Sequence, residues 1–352
     1  MARNRSSEYW STRFDILENA NERDAAQAFK EVEQAQDRAL ADINRQIREF
    51  YRRFAINNNV TMAEARRLLN SNELKEFRWT VQDYIERGRN QHLNPEWRRQ
   101  LENASARFRL SRLEALKVGI QQSVETAFAT QLSVVDRHMR EVFLGNYYKS
   151  AFEVQKGVGM GWEVPSIDQR KLDKVLKKPW TTDDRTFSER IWGNREKLVK
   201  ELHNQLTQDI ISGRPLNQSI DAIARKFNTT KGNARTLVMT ESTFITTAAR
   251  GEAYDELDVE RFQLIATLDE KTSDICQEMD LKIFPQSERQ IGVTVPPFHP
   301  SRKGCRTVDV PYFEDTTLRR WARNPDGSKE VITGNISYQE WRNKYAKESP
   351  AS

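Results

Sequence analysis

The sequence predicts an α+β fold that is mostly α: long N-terminal helices, then a C-terminal helical module with a small antiparallel sheet. Two patterns carry this expectation. Apolar residues recur every three or four positions through most of the chain as far as Leu257, and the period then switches to two at Phe262. Composition adds a third observation. At 37% hydrophobic and 30% charged, with a mean hydropathy of −0.80, the 352 residues suit long exposed helices better than a thick core, and predict an elongated molecule.

The first helix is expected over residues 7–54, with Phe29, Val32, Gln36, Leu40, Ile43, Ile47, Phe50 and Phe54 as its seam. Asn57, Asn58 and Asn59 end it, and Thr61 with Glu64 forms a capping box that starts the next helix. Shorter helices over 61–100 carry Phe77, Trp79, Tyr84 and Trp97 among many arginines. Of these, Arg52, Arg53, Arg66, Arg67, Arg98 and Arg99 are the candidate DNA contacts, because arginine beside aromatics grips phosphate and stacks on bases. Packed helices flanked by arginine would read the same way. A second long helix over 102–144 presents Leu110, Leu113, Leu116, Ile120, Val124, Phe128, Leu132, Val135, Met139 and Val142, with His138 as a packing residue.

Residues 1–144 therefore read as an elongated helical region, and 145–180 as a Gly/Pro connector. The glycines at 157, 159 and 161 lack the spacing of a dinucleotide loop. A module over 181–345 comes next, then a tail at 346–352. Its helices are expected at 182–211, stopped by Gly213, at 217–227, and from a Thr229/Thr230 cap to Leu257. Short helix, turn and longer helix could form a helix-turn-helix, although Glu241 spoils the face that would meet phosphates. Phe262, Leu264, Ala266 and Leu268 alternate as a strand with one buried face, and 281–284 and 307–312 are further strands.

A net charge of +5 favours an acidic neighbour such as nucleic acid without requiring one. The two cysteines fit a reducing compartment better than a disulfide framework. No apolar run approaches the roughly 18 residues of a membrane span, so no membrane partner is expected.

Both cysteines lie between Asp269 and Arg306, with His299 between them. Four readings compete there. Cys276, His299 and Cys305 with Asp269 or Asp280 have the donor types of a structural zinc clip. Cys276, His299 and Asp269 have those of a thiol hydrolase. The same residues could be a packed loop core held by Asp269 and Thr272, or the two thiols could form a disulfide. Glu241 is expected to tie its helix to the loops by accepting backbone hydrogen bonds.

Arg235, Thr240-Glu241, then Asp269, Lys271, Thr272, Ser273 and Cys276, then Pro296, Pro297, His299 and Pro300, then Cys305-Arg306 occur in this order. The set resembles the Mu F-like minor head protein family of tailed bacteriophages and prophages, over roughly 202–345. Asn324 to Gly327, Ser337 with Glu340, and the Tyr338/Trp341 pair resemble the end of that module. One departure is the insertion of Ser301 to Gly304 before Cys305, with Thr307 where the family often has a further cysteine. The resemblance implies a non-enzymatic minor capsid component made in a bacterial host cytoplasm and incorporated into the virion at the portal vertex. It also implies portal, capsid or scaffold proteins as partners, and packaged DNA as a further one. A DNA-binding protein without a capsid role is the alternative, and a cysteine/histidine hydrolase the second.

Overall fold

A computed structural model describes residues 7–57, 112–158, 164–181, 183–212, 214–299, 305–313, 319–323 and 329–333. The helices are α1 (Ser7–Asn57), α2 (Arg112–Val158), α3 (Gln169–Leu176), α4 (Phe187–Ile211), α5 (Leu216–Glu256) and the short α6 (Asp274–Met279). The strands are β1 (Arg261–Ile265), β2 (Ile283–Pro285), β3 (Val308–Pro311), β4 (Arg319–Arg323) and β5 (Lys329–Thr333). The fold is α+β and mostly α. The expected helices and aromatic anchors between 61 and 100 lie outside the described residues, as do the turn at 324–327 and the Ser337/Glu340 box.

The chain forms two compact units, and neither follows sequence order. One gathers Ala28–Asp136 and Phe187–Arg235. Its core is a bundle in which Val32, Ile43 and Ile47 of α1 are buried, with Ile120, Val124 and Phe128 of α2, Leu202 and Leu206 of α4, and Ile223 and Phe227 of α5. The seam of α1 is rotated slightly from the expected one. Ala35 and Ala39 are buried, while Phe29 and Leu40 are half-buried, because alanines let helices approach closely and push larger residues to the flank. Polar pairs cross the core: Gln36 donates to Gln131 at 3.0 Å, Gln46 to Ser123 at 3.0 Å, and Arg195 meets the buried Glu125 at 3.4 Å.

The other unit gathers Met1–Gln27, Arg137–Thr186 and Thr236–Ser352. It holds both sheets. β1 is central in the first, paired antiparallel with β2 and β3, and β4 pairs antiparallel with β5 from Arg319↔Thr333 to Arg323↔Lys329. Here β1 differs from the expected half-buried strand. Phe262 and Leu264 are buried, and so are Gln263 and Ile265, since the sheet is covered on both faces. Gln263 donates to the Leu281 carbonyl at 3.2 Å.

Two helix boundaries differ from expectation. α2 continues through Gly145 to Val158, so the first part of the expected connector is helical. A helical glycine costs about 1 kcal/mol, which the burial of Tyr147, Ala151 and Val154 beyond it outweighs. α5 is a single helix of 41 residues with no break at Thr229/Thr230. Their hydroxyls bond back to the Arg225 and Lys226 carbonyls at 3.2 and 3.0 Å, an intrahelical arrangement rather than a cap. The turn required by a helix-turn-helix is therefore absent from this segment.

Candidate functional site

The loops around the first sheet bring most of the singled-out residues together. Ser273 caps α6 by accepting from the Cys276 N–H at 3.4 Å, and so places Cys276 in the first turn. The Cys276 sulfur lies 3.7 Å from that of Cys305, and both thiols are free. Cys276 is buried and Cys305 half-buried. His299 Nε2 shares a hydrogen bond with the Ser273 hydroxyl. A hydrogen bond from Cys305 pulls the Cys276 thiol down to about 6 against the opposing effect of burial, with further help from Ser273, Thr307 and the nearby His299. The Cys305 thiol is pushed well above its ordinary value by its hydrogen bond to Cys276 first and by burial second.

Asp269 anchors the same loop. Its carboxylate takes a two-pronged contact from Arg306, one prong at 2.6 Å, together with the Lys271 N–H at 2.9 Å and the Thr272 hydroxyl at 3.2 Å. Partial burial works against the charge, but the Arg306 hydrogen bond and charge outweigh it and hold Asp269 below the usual carboxylate range. Thr267 donates to the Arg306 carbonyl at 3.0 Å, and Gln277 to the Thr272 carbonyl at 2.7 Å, so the strand end, the turn and the approach to β3 are tied together.

Beneath the sheet lies a charge cluster. Asp309 of β3 is fully buried and faces two guanidinium groups: Arg250 of α5, donating at 2.6 Å, and Arg289, in an ion pair at 2.8 Å. Arg250 also pairs with Glu18 of α1 and lies 5.0 Å over the Phe14 ring. Arg289 donates to the Thr247 carbonyl at 2.8 Å and lies over the rings of Tyr254 and Phe262. Burial opposes the Asp309 charge, yet the two arginines hold its carboxyl below the usual range. Gly251 leaves room for this arrangement, because a Cβ there would sit 2.6 Å from Arg289 Nε.

Residues 200–310, which contain this loop system and most of the charge cluster, match the family model described as Phage Mu protein F like protein. This segment is similar to the Mu F-like family. A curated relative, Minor head protein GP7 of Bacillus phage SPP1, is 24% identical over 249 residues, covering 66% of this chain and 78% of its own. No solved structure matches the chain.

Within the matched segment the motif residues serve different ends. Glu241 is buried and accepts from the Trp180 indole at 2.9 Å, with that indole stacked 5.0 Å from Phe244. It thus holds the segment before α4, where the sequence suggested loop backbone as its donor. Thr240 bonds back to the Thr236 carbonyl at 2.7 Å. Pro296 and Pro297 are buried beside Phe298, upstream of His299. Arg235 belongs to the other unit, where it is exposed and lies 5.9 Å from the Phe29 ring. His138 is buried and bonds Ser242 at 2.9 Å.

The residues considered for zinc do not fit a metal cage. Asp269 is committed to Arg306 and the turn, His299 Nε2 to Ser273, and among the described residues no three His, Cys, Asp or Glu side chains converge to hold an ion. Asp280 instead accepts from the Ala266 N–H at 2.9 Å. Of the candidate DNA contacts, Arg52 is exposed on α1 and paired with Glu49, and the side chains of Arg53, Arg66, Arg67, Arg98 and Arg99 lie outside the described residues. Among the described residues no helix is long and apolar enough to cross a membrane.

The sequence did not reveal the Arg250–Asp309–Arg289 cluster. Its signals were present: an arginine in the Ala-rich A-A-R-G-E of α5, and an aspartate in the V-D-V of a buried strand. Ionised side chains at buried positions are rarely fully buried unless paired.

Proposed function

We propose that this protein is a minor head protein of a tailed bacteriophage or prophage, incorporated into the virion at the portal vertex during head assembly. The extent of the likeness to the SPP1 minor head protein carries this reading. It spans 249 residues, more than the matched module holds, so it includes helices outside residues 200–310. The module supports a structural role: its polar groups are spent on one another, as Asp269 with Arg306 and Asp309 with Arg250 and Arg289. A packed loop system whose charged groups pair with one another holds shape, which is what a docking part requires.

Portal, capsid and scaffold proteins are the partners this reading names, with packaged DNA as a further one. The test is co-expression of the tagged full chain with the portal and major capsid proteins of the same phage or prophage. Recovery of portal with the chain at high ionic strength is the expected result. Failure to recover portal or capsid, combined with DNA affinity that falls steeply as salt rises, would overturn it in favour of a DNA-binding protein.

A further inference from the structure

The two thiols face each other across a turn whose surroundings are otherwise paired, at 3.7 Å between sulfurs and 29 positions apart in sequence. We propose that Cys276 and Cys305 are a dithiol–disulfide couple, a reversible covalent fastening between the first turn of α6 and the segment entering β3. A disulfide needs the sulfurs at about 2.05 Å, a short closure for two side chains already in hydrogen-bond contact. Thr267 and Asp269 hold the backbone and side chain of Arg306, the neighbour of Cys305, so both ends of the bond are positioned before it forms.

The co-reactant is a low-molecular-weight disulfide of the glutathione class. Cys305 is the less buried of the two residues and reacts first. Its proton passes to water, and the Cys305 thiolate attacks one sulfur of the small disulfide. That S–S bond breaks, a thiolate leaves, and a mixed disulfide remains on Cys305. Cys276 then loses its proton to water and attacks the Cys305 sulfur, breaking the mixed bond and releasing the second small thiolate. Two cysteine thiols are oxidised and one small disulfide is reduced to two thiols, which take up the two protons. The lowered thiol pKa of Cys276 favours the loss of its proton in the second step.

The couple goes beyond the head-protein reading and is tested without reference to heads. Purified full chain is equilibrated in glutathione buffers of increasing oxidised fraction, quenched in acid, alkylated and mapped by mass spectrometry, beside the same chain unfolded in urea. Both thiols of the folded chain should disappear together into a Cys276–Cys305 cystine. Closure of a loop of this length favours the folded chain on the order of a hundredfold, so it should close in that much less oxidising buffer than the unfolded one. The C276S variant should accumulate the mixed disulfide on Cys305. Thiols that stay alkylatable where the unfolded chain has closed would overturn the proposal, as would a bond formed between two chains or a C276S chain that gains no adduct.

Discussion

Asp309→Ala removes the only carboxylate that faces both Arg250 and Arg289 among the described residues. Arg250 keeps Glu18, but Arg289 is left with the Thr247 carbonyl and the faces of Tyr254 and Phe262. Its side chain is 9% exposed, so water cannot replace the lost partner. Breaking a buried ion pair from one side costs about 3–5 kcal/mol. For a unit of this size that lowers Tm by roughly 6–20 °C. Urea and thermal unfolding of the full chain, followed by circular dichroism, measures the loss directly. The double variant Asp309→Leu with Arg289→Met, which leaves no uncompensated charge on that side, should recover part of it. A single variant within about 1 kcal/mol of the wild type would refute the argument that this cluster is a desolvated, mutually dependent set.

The same aspartate sets a pH dependence. Its folded pKa lies below the unfolded one, so its contribution is fully present above about pH 4 and is lost as pH falls through the depressed folded value. Acid unfolding of Asp309→Ala should therefore be flatter than that of the wild type. Gly157→Ala should destabilise by about 1–3 kcal/mol, the reverse of the usual gain in a helix, because the new Cβ would fall 1.9 Å from the buried Trp10 ring; equal or higher stability by urea titration would contradict the packing. Trp180→Phe keeps the ring on Phe244 and removes the donor to Glu241, a loss of about 1–3 kcal/mol in the same measurement, which Trp180→Phe combined with Glu241→Gln should lessen.

Legibility in the sequence tracked local periodicity. The α1 seam, the α2 face and the three strands of the first sheet were all visible, because helix and strand burial repeat every 3.6 or 2 residues. Punctuation is less legible. Gly145 and the Thr229/Thr230 pair look like boundaries, yet burial on either side carries both helices through them. In the loop system the residue types identified the region, and the structure supplied the pairing: Asp269 with Arg306, His299 with Ser273, thiol with thiol. None of these can be read from spacing, since partners 26 to 37 positions apart meet only after the sheet has formed. The Arg250 cluster is the extreme case, with partners 59 and 232 positions away.

The Glu18 contact has a consequence for the order in which the protein is made. Trp10, Phe14 and Glu18 are translated long before the surfaces they cover, around Phe313, Tyr254 and Arg250. The unit that holds the sheets therefore cannot complete itself until β3 has been made, and the first turns of α1 must wait for it before they are buried. A fragment cut to residues 200–310 would begin with the Tyr254 ring and the Arg250 guanidinium uncovered. The stretch of sequence that defines the family and the stretch of chain that folds are different objects here, and an expression fragment should respect the second.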